Sequence, residues 1–270
     1  MAAQPVVSAD TAPDMAEWFA ACEDWDKWDK AAPPFLVHGN SYHVGTCGIS
    51  AILITDPKGH ILIDSGTQEG AKIVLANIRA LGFRPEEIKF VLSSHEHYDH
   101  VGGMAAIQQA TGARVIAATD VAANVLRSGE DSDEDPQSGD HAPFAPVPNV
   151  EVMESLTVET GDLILTLVPT PGHTPGAASW QWESCDEAGD CRTIVYADSL
   201  SPVSSDDYRF SDHPAYLGYY RESLARVAAL DCDMLLTPHP SASRMRDKLA
   251  AGDLASGMNC RQFAASITDR

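Results

Sequence analysis

Apolar positions along the chain follow two periods, and the switch between them marks its elements. The stretch SYHVGTCGISAILITDPKGHILIDSGT carries short apolar runs broken by turn residues. It predicts two or three strands with a turn at 56–59, ending in Asp64, Ser65 and Gly66. EGAKIVLANIRALGF then takes up helical spacing and stops at Gly82. IKFVLSS predicts a short buried strand, VGGMAAIQQATGA a helix entered through two glycines, and RVIAA another strand. Strand-like runs return in DLILTLVPTPGHTPG, AASWQW and RTIVYADSL. A helical stretch covers about 216–230, MLLTPHP is a last strand ending at His239, and the tail supplies a final helix.

Between these two groups, residues 129–149 (GEDSDEDPQSGDHAPFAPVPN) are dense in acids, Gly and Pro and read as a long surface loop. Residues 1–34 form a polar, tryptophan-bearing lead-in, within which AEWFAACEDWDKW predicts a short amphipathic helix. The lead-in is expected to pack on a single domain spanning 35–270. No motif repeats in tandem. Each half combines strands with helices, so the expected fold class is α/β, with two sheets face to face and helices outside.

Composition narrows the partners. The chain has 270 residues, 44% of them hydrophobic, enough for a sizeable core. Its 39 acids against 18 Lys and Arg give a net charge of -21, which repels nucleic acid and anionic membrane. No apolar stretch approaches the ~20 residues of a spanning helix. The opening MAAQPVVSADTAPDMAEW has neither a basic segment nor an apolar core and does not read as a secretion signal. Six cysteines form no close CxxC pair; Cys185 and Cys191 flank the turn-like DEAGD. An oxidising compartment with up to three disulfides is expected.

The candidate chemistry sits at the exit of the IKFVLSS strand. SSHEHYDHVGG places His95, His97, Asp99 and His100 within six positions. On an extended exit His95 and His97 point the same way, and Asp99 and His100 follow as the chain turns. One stretch can thus serve two adjacent metals. A solvated strand exit does not account for such a density of ligands. Zinc takes four ligands, with one position open in catalytic sites, so further donors must come from other strand ends. His173, held in PTPGHTPG, and His239, in TPHP, meet that description. The remaining His38, His43, His60, His141 and His213 read as solvent-exposed.

HxHxDH, followed by GHTPG and a late strand-end histidine, resembles the metallo-β-lactamase superfamily. PFLVHGNSYHVGTCGISAILI, GHILIDSGT, PTPGHTPGAASWQW, YADSLSPVS and TPHPSAS extend the likeness to subclass B3 metallo-β-lactamases, from about Trp18 to Ala264. The resemblance implies an αβ/βα sandwich with the metals in a groove at one edge. It implies two zinc ions, the first on His95, His97 and His173, the second on Asp99, His100 and His239. Subclass B1 has a cysteine ligand where this chain has Ser199. Ser199 and Ser201 would then face a substrate carboxylate. The resemblance also suggests the pairs Cys22–Cys47, Cys185–Cys191 and Cys232–Cys260, as clamps remote from the metals.

The implied reaction is hydrolysis of the β-lactam amide of penicillins, cephalosporins and carbapenems without a covalent intermediate, by a monomer in the periplasm or secreted. Asp99 would both hold the second zinc and orient the attacking water. Related dizinc enzymes that cleave lactones or glutathione thioesters are the alternative, and a zinc-stabilised binding protein a more distant one. Asp198 has two readings: a bridge between the metals, as in the thioester and lactone hydrolases, or a brace turned away from them. Asp64 could orient a ligand imidazole or simply occupy a turn. Glu96 and Tyr98 alternate away from the ligands as a brace and a packing residue. The groove rim is expected near Ser41 and along 144–150, with Phe144 as an apolar lip.

Overall fold

The computed structural model describes residues 15–268; most of the N-terminal stretch weighed as a secretion signal lies outside that range. Two mixed sheets face one another. In spatial order the first contains β1 (Phe35–His38), β2 (Ser41–His43), β3 (Ile52–Ile54), β4 (His60–Ile63), β5 (Ile88–Leu92), β6 (Arg114–Ala117) and β7 (Val150–Val152). It is antiparallel from β1 to β4 and parallel from β4 to β7. The second sheet runs β12 (Met234–Leu236), β11 (Cys191–Tyr196), β10 (Ala178–Cys185), β9 (Leu163–Pro169) and β8 (Thr157–Thr160). Only β11 and β12 are parallel there.

The helices are α1 (Met15–Ala21), α2 (Gly70–Ala80), α3 (Tyr98–Val101), α4 (Met104–Thr111), α5 (Asp120–Ser128), α6 (Pro214–Ala228), α7 (Met245–Ala250) and α8 (Cys260–Thr268). None among the described residues is long and apolar enough to cross a membrane. Strand alternation distributes the apolar residues over layers. Ile52, Ile54, Ile61 and Ile63 enter the core between the sheets with Trp180, Ile194 and Tyr196. Their neighbours Leu53 and Leu62 turn outward to Val74 and Ile78 of α2 and to Met104 and Ile107 of α4. On the other outer face, Val195 and Leu235 pack beneath Leu224 of α6 and Phe263 of α8. Each such side chain taken from water is worth about 1.5–3 kcal/mol. The result is an αβ/βα sandwich.

Some elements differ from the expectation. β7 and β8 were not anticipated, because VEV and TVET are short and half polar. α5 was also missed, although the Thr119 hydroxyl accepts the Ala122 N–H as a helix cap. Two histidines expected in solvent are in the core. His43 stacks on Phe35 with ring centroids 5.0 Å apart, and burial pushes its pKa down to about 3. The His60 ring accepts the Asp56 N–H at 3.3 Å and abuts Phe83. His38 is half-buried, its Nε2 bonded to the Asp190 carbonyl, while His213 is exposed.

The strand directions bring function to one edge. β4 and β5 are parallel, as are β11 and β12, and β9 runs with β11 because both are antiparallel to β10. The Ala178 N–H donates to the Ser94 carbonyl, and the Trp180 indole to the Ser93 carbonyl, locking the second sheet to the exit of β5. The C-terminal ends of these strands therefore meet.

Candidate metal centre

At that meeting point, β5 delivers Ser93–His97, the turn after β9 delivers His173, and the segments after β11 and β12 deliver Ser199 and His239. The rings of His95, His97 and His173 form a near-equilateral triangle, with centroids 4.9, 4.7 and 4.8 Å apart. His100 lies 4.2 Å from His95, and His239 lies 5.0 Å from His100. Two groups of potential metal donors share His95: His95, His97 and His173, and His95, Asp99 and His100. Within each, the donor atoms lie within 4.8 Å of one another. His239 joins through Asp99, its Nε2 3.3 Å from Oδ2.

The neighbours of each ring determine which nitrogen faces inward. His173 Nδ1 meets the Ser201 carbonyl at 2.9 Å, and His239 Nδ1 meets the Gly48 carbonyl at 3.3 Å. A carbonyl only accepts, so both Nδ1 atoms carry the proton and Nε2 is left as donor to a metal. His97 is reversed: Nε2 binds the Asp135 carboxylate at 2.9 Å, leaving Nδ1 inward. His95 Nδ1 is backed by the Ser94 hydroxyl at 3.2 Å, while its buried Nε2 has no partner. His100 Nδ1 lies 3.6 Å from Asp64, and its Nε2 lies 3.0 Å from Asp99 Oδ2.

Electrostatics divide the donors. Burial, reinforced by the neighbouring imidazoles, pushes His95 and His173 well below the usual histidine range and keeps them neutral, the form that binds metal. His100 responds differently. Burial would lower it, but the Asp99 and Asp64 carboxylates overcome this and raise it to about 10. Burial likewise opposes ionisation of Asp99, yet His100 and His239 hold it well below the carboxylate range. Without metal, a proton on His100 thus fills the role a cation would take. Zinc fits this donor set of imidazole nitrogens and one carboxylate, with rings anchored by Asp135, Ser201 and Gly48.

The surrounding residues brace the loops. Asp64 accepts the Ser94 N–H at 2.7 Å and the Ser94 hydroxyl at 2.8 Å, in addition to its approach to His100. Glu96 turns away from the donors and accepts from the Thr174 hydroxyl at 2.7 Å and the Gly176 N–H at 2.8 Å, tying the His173 turn to the His95 segment. Burial raises its pKa to about 7. Tyr98 is half-buried against the helical layer. Asp198 stands behind His95: Oδ1 is 2.8 Å from Nδ1, though not aligned for a hydrogen bond, and Oδ2 accepts the Leu200 N–H.

A cavity of about 320 Å³ opens over the centre. Ser199 and Ser201 line it, and the buried Ser199 hydroxyl has no partner. Two rim expectations are corrected. Ser41 is fully buried in β2, where its hydroxyl accepts from the Trp182 indole and meets Ser184, so it cannot reach a substrate. Phe144 packs into the helical-side core and does not line the cavity. Trp25 and Trp28 form the wall instead, with ring centroids 6.1 and 6.5 Å from His239. Gln137 and His141 reach in from the acidic loop, so His141 is not a solvent histidine.

The structure joins Cys22 to Cys47, Cys185 to Cys191 and Cys232 to Cys260. The Cys22–Cys47 bridge is not remote from the centre. It ties the Trp25 segment to Cys47, next to Gly48, whose carbonyl holds His239. A Cβ at Gly48 would lie 2.5 Å from the Asp26 carbonyl oxygen, so only glycine allows this approach.

Fold and donors together define a metallohydrolase scaffold with its groove between two sheets. The description "Metallo-beta-lactamase superfamily" matches residues 44–239, and the chain belongs to that superfamily. It is similar to the solved MIM-2 metallo-beta-lactamase, with 52% identity, TM-score 0.88 and 96% of each chain covered. It is also similar to MEM-A1, a subclass B3 metallo-beta-lactamase isolated from a soil metagenome library. There the identity is 40%, the TM-score 0.85, and the coverage 90% of this chain and 96% of the other. A curated hydroxyacylglutathione hydrolase of Anaeromyxobacter dehalogenans (strain 2CP-C) is 30% identical over 64% of this chain. The chain spans 62% of the length of that relative.

Proposed function

We propose that this protein is a zinc-dependent β-lactam hydrolase of the subclass B3 type. His95, His97 and His173 hold one zinc, and Asp99, His100 and His239 hold the other. The observation that carries this reading is the orientation of His97, His173 and His239, whose outward nitrogens are engaged, together with the approach of His100 and His239 Nε2 to Asp99 Oδ2. The likeness over 96% of the MIM-2 chain favours a β-lactam as substrate. So does Asp198, whose oxygens are directed to His95 and Leu200 and are not offered as a bridge.

Zinc held by His95, His97 and His173 and by Asp99, His100 and His239 would supply an acidified water as nucleophile and positive charge to polarise the amide carbonyl. The chain's own groups do the rest. Asp99, held ionised, accepts a hydrogen bond from the attacking water and fixes its direction. Ser199 and Ser201 offer hydroxyls to the substrate carboxylate from the cavity wall. Trp25, Trp28 and Val203 cover an apolar substrate face and exclude water. The three disulfides support export to an oxidising compartment.

The test is hydrolysis of a penicillin, a cephalosporin and a carbapenem, beside a lactone and a glutathione thioester. Each is measured before chelation, after it, and after zinc is returned. Turnover of the β-lactams that disappears with chelator and returns with zinc is expected. Turnover of the thioester alone would move the protein to the other class.

A further inference from the structure

The acidic segment 129–149 reads in sequence as a long surface loop, yet its stretch around Asp135 is in the interior. Asp135 is 3% exposed and Gln137 is 8% exposed. Asp135 Oδ1 accepts the Gln137 N–H at 2.7 Å, which fixes the carboxylate, and Oδ2 meets His97 Nε2 at 2.9 Å. Asp131 arranges the far end of the loop, accepting the N–H groups of Gly139 and His141 and lying 3.4 Å from His141 Nδ1. The His141 ring then stacks on His97 with centroids 3.9 Å apart and planes 25° from parallel. The Ser205 N–H donates to the Pro136 carbonyl, tying the loop to the segment after β11.

We propose that Asp135 is the positioning residue for His97, and that His141 completes a clamp which makes the acidic loop part of the metal centre. The inference rests on the reading of His95, His97 and His173 as one zinc site. The physical reason is tautomeric. A carboxylate only accepts, so Asp135 keeps the proton on His97 Nε2 and leaves the Nδ1 lone pair turned inward. An amide at the same place could donate instead. The proton could then move to Nδ1 and block the donor atom. The stacked His141 ring limits rotation of His97 about its Cβ–Cγ bond, so the carboxylate edge and the ring face together fix one orientation.

Zinc retention tests this without any substrate. Wild type, Asp135→Asn, Asp135→Glu and His141→Ala are titrated with a competing chelator, and zinc per chain is measured by mass spectrometry. Cobalt-substituted samples are compared by visible absorption. Glu134→Gln, an exposed acid beside Asp135, is the control. Asp135→Asn is expected to release one zinc at about 10- to 100-fold lower chelator strength, keep the other, and shift the cobalt spectrum. Asp135→Glu should recover part of the affinity, and His141→Ala should lose less than Asp135→Asn. Wild-type zinc retention and an unchanged cobalt spectrum in Asp135→Asn would overturn the proposal. If that variant does not fold, His141→Ala decides in the same titration, and unchanged retention there overturns the clamp. β-Lactam turnover is not read, so an enzyme that proved to prefer thioesters would leave this result standing.

Discussion

The Tyr196 hydroxyl and the Asp64 carboxylate meet at 2.8 Å, joining the second sheet to the first directly behind the metal centre. Asp64 follows β4 with φ +62°, a left-handed conformation that aspartate tolerates better than most residues. From there it also receives the Ser94 N–H and hydroxyl and faces His100. One buried carboxylate thus fixes the exit of β5, from which His95 and His97 emerge.

Removing the two partners should have unequal effects. Tyr196→Phe deletes one donor and should cost about 1–3 kcal/mol, since a buried carboxylate loses a hydrogen bond. Asp64→Ala strands the Ser94 N–H, leaves the Ser94 hydroxyl with His95 Nδ1 and the Tyr196 hydroxyl with the Ser50 carbonyl as their remaining partners, and adds the strain of a left-handed alanine. It should be the more destabilised in denaturant unfolding of metal-free protein, and zinc per chain should fall with it. Equal midpoints for the two variants would show that Asp64 does not organise this junction.

Asp99→Ala should cost far more than Ser199→Ala. The first removes a ligand charge and the acceptor that directs the water, so zinc should drop toward one per chain and kcat by orders of magnitude. Ser199 is asked only for one hydrogen bond toward substrate, and its loss should change KM or kcat by about 10-fold. Asp198→Ala belongs in the same series: as a brace for His95 it should lose less zinc than Asp99→Ala. Metal content beside kcat on one carbapenem checks the order, and an Asp99→Ala protein with both zincs and near-normal kcat would sink the mechanism.

The Cys22–Cys47 bridge should matter for substrate as well as stability. Its 25-residue separation suggests about 3.5 kcal/mol of stabilisation, and it holds the Trp25 segment against His239. A Cys22→Ala, Cys47→Ala double variant should raise KM for a substrate with an aromatic side chain more than it lowers kcat. Thiol titration of denatured, unreduced wild type should find no free thiol. Six reactive thiols there would contradict both the clamps and export.

How much of this was legible in sequence follows the physics of each residue. His95, His97, Asp99 and His100 stand out because strand exits seldom carry so many donors at such short spacing. His173 and His239 are recognisable from the turn residues that hold them. Asp135 was hidden: in a segment with so many acids, nothing local tells the one that turns inward from those in water. His43 was misjudged because the Phe35 ring reaches it across the β1–β2 pairing and the Trp18 edge arrives from α1, and neither contact shows in the residues beside it in sequence. Ser41 and Phe144 lie near the groove in sequence order, but strand alternation and the turn after α5 direct both side chains inward. The sandwich itself was readable because its apolar periods are clean, whereas the marginal strands β7 and β8 depend on partners for pairing.

The two halves of the centre should separate with pH. His95 and His173 are held below the usual histidine range, so near neutral pH zinc enters their group without expelling a proton from either. His100 is held at about 10 by Asp99 and Asp64 in the metal-free protein, so below that pH zinc must displace its proton. Each unit of acidification should then weaken the second zinc by about 10-fold, one proton being exchanged for one metal. Affinity at the group holding His100 therefore rises with pH up to about 10, whereas His95 and His173 release no proton near neutrality when metal enters. Lowering the pH from 8 to 6 at fixed free zinc should therefore take the protein from two zincs to one before the last is lost. Zinc per chain by native mass spectrometry at several pH values follows this, and His100→Asn, which cannot carry the proton, should flatten the curve even though it binds the second zinc more weakly. Parallel loss of both metals with the same pH slope would show that the Asp99–His100 proton does not govern the second site.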